Sequence, residues 1–174
     1  MTDLAPQPLT PDAFAPFGDV LDASGAPDRI INQGLCGRYH DRARLDFGAD
    51  GRAGLSIFKA EIRSLPYRLE LVERHPEGSQ AFIPMTDDPF LVIAATDRGG
   101  RPDTVHAFLT DGTQGINFHK NTWHGVLTPL GGSGLFAVVD RIGTTANLEE
   151  FRLDDPITIV GPTQSGAKTA KLQP

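Results

Sequence analysis

The sequence predicts a mainly β fold with a few short helices, arranged as a sandwich or closed barrel, and three observations carry that prediction. First, 19 glycines and 14 prolines make up 33 of the 174 residues and fall between short apolar stretches rather than in one block. That is the punctuation of many short strands joined by turns. Second, strand signals follow one another over residues 54–62, 67–75, 79–85, 90–95, 105–109, 115–119, 124–127, 135–140 and 157–160, a series that closes into facing sheets or a barrel. Third, only one helix start is clear. Thr10 can cap exposed amides and Pro11 takes the first helical position, where no donor is lost, before Pro16 and Gly18 end the helix. The length suits one domain, which buries roughly 70% of its unfolded surface. Residues 1–160 are read as that domain and residues 161–174 as a flexible tail.

Sixteen Lys and Arg stand against 22 Asp and Glu, a formal charge of −6 with no basic block, which argues against nucleic acid or an anionic membrane as the main partner. The longest apolar run, residues 90–95, is far short of the ~20 residues a membrane helix needs. The amino end lacks a basic-then-apolar signal pattern, so the chain is read as cytoplasmic. One cysteine, Cys36, cannot form an internal disulfide and is expected to be a buried, inert thiol.

The segment from Tyr67 to His75 is the most informative. Strand side chains alternate faces, and the odd positions begin apolar, so Tyr67, Leu69 and Leu71 are expected to face inward. The same face continues through Glu73 and His75, just before the turn Pro76-Glu77-Gly78. A carboxylate and an imidazole would then sit in the mouth of an apolar barrel. Burying them alone costs several kcal/mol, so the fold must supply a metal, a charge partner or a substrate.

Glu73, His75 and Gln80 are spaced E-x-H-x4-Q, and a second histidine region with His119, Lys120 and His124 lies downstream. This arrangement resembles the cupin barrel, in which H-x-H-x(3,4)-E and a later histidine hold a divalent metal, since borderline metals accept imidazole and carboxylate together. Glu73, His75, Gln80 and His124 take those places here, with Glu for the first His and Gln for the Glu. The alternative is that the histidines are hydrogen-bonded barrel residues with no metal. Lys120 is a candidate anion contact or base, against the plainer reading of an exposed loop lysine. Arginines are twelve of the sixteen basic residues, an excess that fits a small anionic substrate because guanidinium binds carboxylate bidentately. Arg141 has a second reading, a structural ion pair with Asp140.

Other chemistries lack their signatures. The glycine-rich turn at residues 131–134 has no Lys-Ser/Thr ending and no following helix, so it is not a phosphate loop. Ser79 and Ser133 lack the strained G-x-S-x-G elbow of a serine hydrolase.

Taken together, residues 9–20, 63–67, 73–84, 114–124, 138–141 and 147–151 resemble the ureidoglycolate lyase family, also described as ureidoglycolate hydrolase. The resemblance implies a cupin-like, jelly-roll type β-barrel, a homodimer, and cleavage of (S)-ureidoglycolate to glyoxylate and urea in allantoin and purine breakdown. It implies catalytic roles for Glu73, His75, His124 and Lys120, and substrate contacts from Gln80, Arg74, His119 and Arg141. It also implies a divalent metal, nickel by family likeness, on Glu73, His75, Gln80 and His124, with no organic cofactor. The substrate is a small carboxylate whose hydroxyl and ureido nitrogen share one carbon, so removing the hydroxyl proton while protonating that nitrogen releases an aldehyde. Two rivals share the residues. An amidohydrolase would attack the ureido carbonyl with an activated water and release ammonia, and a cupin-type sensor would bind a small acid without turning it over.

Overall fold

Glycine- and proline-punctuated strands build a barrel from two sheets in the computed structural model, which describes residues 2–161 and 170–171. One sheet has nine strands, in the order Thr2–Leu4, Glu149–Ile159, Tyr67–Arg74, Trp123–His124, Phe90–Arg98, Arg101–Leu109 and Ala170–Lys171. Thr128–Pro129 also pairs with Phe90–Arg98, and Gln7–Pro8 with Arg101–Leu109. The second sheet has five, in the order Gly18–Leu21, Gly115–Phe118, Gln80–Pro84, Leu135–Ile142 and Arg52–Lys59. A separate hairpin joins Arg29–Ile31 to Cys36–Arg38. No helix among the described residues is long and apolar enough to cross a membrane.

The uninterrupted apolar run at Phe90–Ala95 is explained by burial on both faces. Phe90, Val92 and Ala94 point into the barrel against Phe108, Phe118 and Phe136. Leu91, Ile93 and Ala95 pack on the opposite face against Leu4, Ile157 and Ile159. Each of the larger side chains in the run contributes roughly 1.5–3 kcal/mol by leaving water. The helix Pro11–Phe14 forms as its cap predicts: Ala13 N–H donates to Thr10 Oγ1 at 3.3 Å, and the helix plants Phe14 edge-on against Phe108 at 5.5 Å.

Three expectations change. The strand placed at 124–127 is only Trp123–His124, and the last strand begins at Glu149 rather than at 157. Gly18–Leu21 and the 29–38 hairpin carry no strong strand signal in sequence but pair through their backbones. Most important, inward alternation does not run the length of Tyr67–Arg74. Its ladder with Glu149–Ile159 shifts register between Arg152 and Ile157, and Leu69 and Val72, three positions apart, enter the same cluster outside the barrel. An irregular register resets which face a residue takes. The residues placed in the tail lie mostly outside the described residues, and within it Ala170 and Lys171 pair with Val105 and Thr104.

Candidate active site

Beyond the register shift, the face predicted for Glu73 is realised. His124 lies directly opposite Glu73 on one side and Ala94 on the other, and directly opposed residues share a face. Ala94 belongs to the barrel interior, so Glu73 and His124 do too. His75 follows at the strand end, its ring 5.3 Å from that of His124. Among the described residues, Glu73, His75 and His124 each offer a ligand atom within 4.8 Å of the others.

Local chemistry fixes how the two imidazoles point. His75 Nδ1 lies 2.6 Å from the Asn147 carbonyl, and Asn147 Oδ1 accepts the Glu77 N–H at 2.7 Å, so one asparagine shapes the turn after the strand. Asn121, with φ of 66°, donates its N–H to the His75 carbonyl at 2.9 Å. His124 Nδ1 lies 3.0 Å from the Gly125 carbonyl, and the ring stacks on Phe118 at 4.3 Å. Each Nδ1 therefore carries a proton, and each Nε2 is buried with no partner among the described residues.

Electrostatics agrees with this division. Complete burial holds His124 far below the ordinary imidazole value, at about 3, with the neighbouring His75 adding to the effect against the Gly125 hydrogen bond. His124 is neutral at any physiological pH. Burial likewise raises the Glu73 carboxyl, a shift opposed by His75 and reinforced by Glu150. A proton acceptor brought nearer neutrality suits general acid–base work.

Gln80 is buried, and its Oε1 has no partner among the described residues. It lies opposite Phe118, the ring that stacks on His124. Across the other ladder Gln80 faces Asp140, whose Oδ1 is equally buried and unpartnered. Asp140 drew no attention in sequence except as a neighbour of Arg141. The signal was there, since Phe136 and Val138 are barrel residues and Asp140 continues their face.

Other predicted residues lie apart from the triad. Arg74 takes the face opposite Glu73, where Glu149 (2.7 Å) and Asp97 (3.1 Å) hold it and its guanidinium lies 4.3 Å over the Trp123 ring. Arg141 points to the outside of the second sheet. Its Nε donates to the Phe47 carbonyl at 3.0 Å and its Nη2 to Thr145 Oγ1 and Glu77 Oε2, each at 3.0 Å. The ion pair foreseen with Asp140 is thus made with Glu77, because adjacent strand residues face opposite ways. Gly51 and Gly78 leave room for it: a Cβ on either would stand 2.7 Å from Arg141 carbons.

His119 and Lys120 occupy the turn that buttresses His75. His119 Nε2 lies 2.9 Å from Asp19 Oδ1 and 3.2 Å from Arg44 Nη2, while Lys120 is exposed. Burial of Asp19 works against its charge, but hydrogen bonds from the Arg44 amide, Asn117 and His119 outweigh it and lower its carboxyl below the usual range. Cys36, expected inside, is exposed in the 29–38 hairpin.

A barrel whose interior ends in two imidazoles and a carboxylate, with unpaired oxygens beside them, defines a small-molecule enzyme of the β-barrel type. Comparison with known proteins narrows the class. The profile of the ureidoglycolate lyase family matches residues 1–160. The chain is 58% identical to a ureidoglycolate lyase of Rhodobacter capsulatus over 161 residues, 92% of this chain and 100% of the relative. Identity is 48% to one from Chelativorans sp., covering 91% and 97% of the two chains, and 47% to ureidoglycolate lyase 2 of Rhizobium meliloti, covering 91% and 98%. The chain belongs to the ureidoglycolate lyase family.

Proposed function

We propose that this chain is a ureidoglycolate lyase that splits (S)-ureidoglycolate into glyoxylate and urea, serving purine breakdown, with Glu73, His75 and His124 as its working centre. The observation that carries the reading is the grouping of Glu73, His75 and His124, each offering a ligand atom within 4.8 Å of the others, at the end of the barrel where both imidazole Nε2 atoms are buried without a partner among the described residues and the Glu73 carboxyl has a raised proton affinity. Full-length relatives of the same name agree with it.

Glu73 is the proton carrier in this reading. Its carboxylate takes the hydroxyl proton of the substrate, the C–O bond becomes a carbonyl, and the C–N electron pair stays with the ureido nitrogen. The Glu73 carboxyl returns the proton to that nitrogen, so glyoxylate and urea leave without redox or hydrolysis. Lys120 and His119, in the turn that braces His75, attract the substrate carboxylate. Arg74 and Arg141 are engaged elsewhere, and they support the site through the strands that carry Glu73 and Asp140.

The donor set also fits a divalent ion, nickel being the one the family likeness implies. Two imidazoles whose Nδ1 atoms are held by carbonyls, with a carboxylate, form a familiar ligand group for borderline metals. Gln80 would be a further ligand. A bound ion would supply Lewis acidity toward the substrate oxygens.

We further propose a cytoplasmic homodimer, with residues 1–160 as its one domain. Leu55 (73% exposed) and Ile57 (60%) on the edge strand Arg52–Lys59, with Ile83 (42%) two strands in, form an apolar outer face. Such an edge is ordinarily covered. Light scattering on the purified protein tests the dimer.

The function is tested by incubating metal-loaded and chelated protein with racemic ureidoglycolate while glyoxylate, urea and ammonia are followed separately. Equal glyoxylate and urea, stopping at half the racemate, supports the lyase, and loss on chelation with recovery on one divalent ion supports the metal. Ammonia in place of urea makes the enzyme an amidohydrolase, and binding without product makes it a sensor.

A further inference from the structure

On the inner face at this end of the barrel four buried polar atoms have no hydrogen-bond partner among the described residues: His75 Nε2, His124 Nε2, Gln80 Oε1 and Asp140 Oδ1; a fifth such atom, Asn117 Oδ1, belongs to the opposite face of its strand. The two oxygens inside are acceptors. The imidazoles group with Glu73, but Asp140 stands outside that set of mutually close ligand atoms. It faces Gln80 across the ladder instead, so two oxygen acceptors lie side by side on the inner face of the second sheet. The neighbouring cation makes no contact with Asp140, because Arg141 turns to the outer face, where its Nε meets Phe47 and its Nη2 meets Thr145 and Glu77. A buried acceptor left without a donor is unfavourable, and a site that keeps two together is built for a ligand that brings donors.

We propose that Asp140 and Gln80 form the specificity-determining pair that receives the N–H groups of the ureido end of the substrate. This rests on the ureidoglycolate reading above. The ureido group is the only part of that molecule rich in N–H donors, with two on the terminal nitrogen and one on the inner nitrogen. A carboxylate and an amide oxygen are acceptors suited to them, and Asp140 does so with charge assistance. Charge also sets the orientation: the Asp140 carboxylate repels the substrate carboxylate, which turns toward the exposed turn holding His119 and Lys120. A site that hydrogen-bonds a donor rejects analogues lacking it much more strongly than an apolar pocket rejects a missing methylene.

Steady-state kinetics of Asp140→Asn, which keeps the shape and removes the charge, tests the pair. The expected result is at least a tenfold rise in KM for ureidoglycolate and at least a tenfold weakening of inhibition by the product urea. Inhibition by glyoxylate, which has no N–H donor, stays within twofold. Equal weakening toward urea and glyoxylate would place Asp140 on the carboxylate or metal side and overturn the proposal, as would unchanged kinetics. The unaltered enzyme gives an independent reading should the variant misfold. Urea should inhibit it, whereas tetramethylurea, with the same carbonyl and no N–H, should not, and equal or no inhibition by the two overturns the assignment. If the unaltered enzyme makes no glyoxylate at all, the lyase reading itself fails and this one with it. Normal turnover with an indifferent Asp140→Asn sinks this one alone.

Discussion

Two polar clusters meet where Asp140 and Arg141, adjacent in one strand, face opposite sides of the second sheet, and they differ in one respect. Around Arg141, a guanidinium with only 3% of its side chain exposed has a carbonyl, a hydroxyl and a carboxylate as partners. Around His124, equally buried, two imidazole nitrogens and two oxygens have none among the described residues. A buried guanidinium whose Nε and Nη2 meet a carbonyl, a hydroxyl and a carboxylate is a satisfied part of the fold, whereas a group of buried acceptors without donors lowers stability and marks a place for a ligand that brings them. The difference separates a structural cluster from a working one more reliably than residue type does, since both are made of charged and polar side chains.

The sharpest way to break the comparison is to remove one member of each cluster and read activity beside stability. His75→Ala takes away an Nε2 that has no partner among the described residues together with the Nδ1 bond to the Asn147 carbonyl, so kcat/KM for ureidoglycolate should fall about a thousandfold, roughly 4 kcal/mol of transition-state stabilisation. Its unfolding free energy should fall by only about 1 kcal/mol, the worth of that one hydrogen bond. A variant that keeps most of its activity would show that the triad is structural after all.

Arg141→Met should do the opposite. It deletes three hydrogen bonds to a charged donor and leaves Glu77 without its cation, which should lower the unfolding free energy by about 2–4 kcal/mol. Activity per folded molecule should stay within a few-fold at a temperature where the variant is folded. Loss of activity without loss of stability would return Arg141 to the substrate.

Much of this contrast is legible in sequence, and its limits are physical. The strand that ends in Glu73 and His75 and the later His124 are visible because an apolar alternation that turns polar on one face has few structural explanations. The same argument applied to Phe136, Val138 and Asp140 reaches the other half of the site, but the adjacent Arg141 invites an ion-pair reading. Only the ladder shows that neighbours in a strand face apart and that Arg141 turns to Glu77. Arg74 misleads in the same way, since its partners Glu149 and Asp97 are remote in sequence. The slip between Leu69 and Val72 is beyond any periodicity argument, because it depends on an irregularity near Arg152 in a strand about 80 residues away. Strands such as Gly18–Leu21, held by backbone pairing with Gly115–Phe118, leave little pattern in their side chains.

The smallest expected effect concerns the acid side of the stability curve, where a site that keeps an imidazole dry should betray itself. Burial holds His124 at about 3 in the folded protein, while the unfolded chain binds its proton near the ordinary value of about 6.5. Between those values the unfolded state carries the extra proton, so folding should weaken by about 2 kcal/mol from pH 7 to pH 5 on account of this residue. Two other groups act differently. Asp19, whose carboxyl is lowered, contributes stability that is lost only as the pH falls below the ordinary carboxylate range, outside this window. Glu73, whose carboxyl is raised, gains stability on acidification and opposes the trend. Guanidinium unfolding of chelated wild type and His124→Leu at pH 7, 6 and 5 separates these, because the contribution of Glu73 is present in both proteins. The wild type should lose stability relative to the variant by that 2 kcal/mol across the series. Parallel curves would mean that His124 is protonated inside the barrel, and its Nε2 would then be a donor rather than the free ligand on which the candidate site depends.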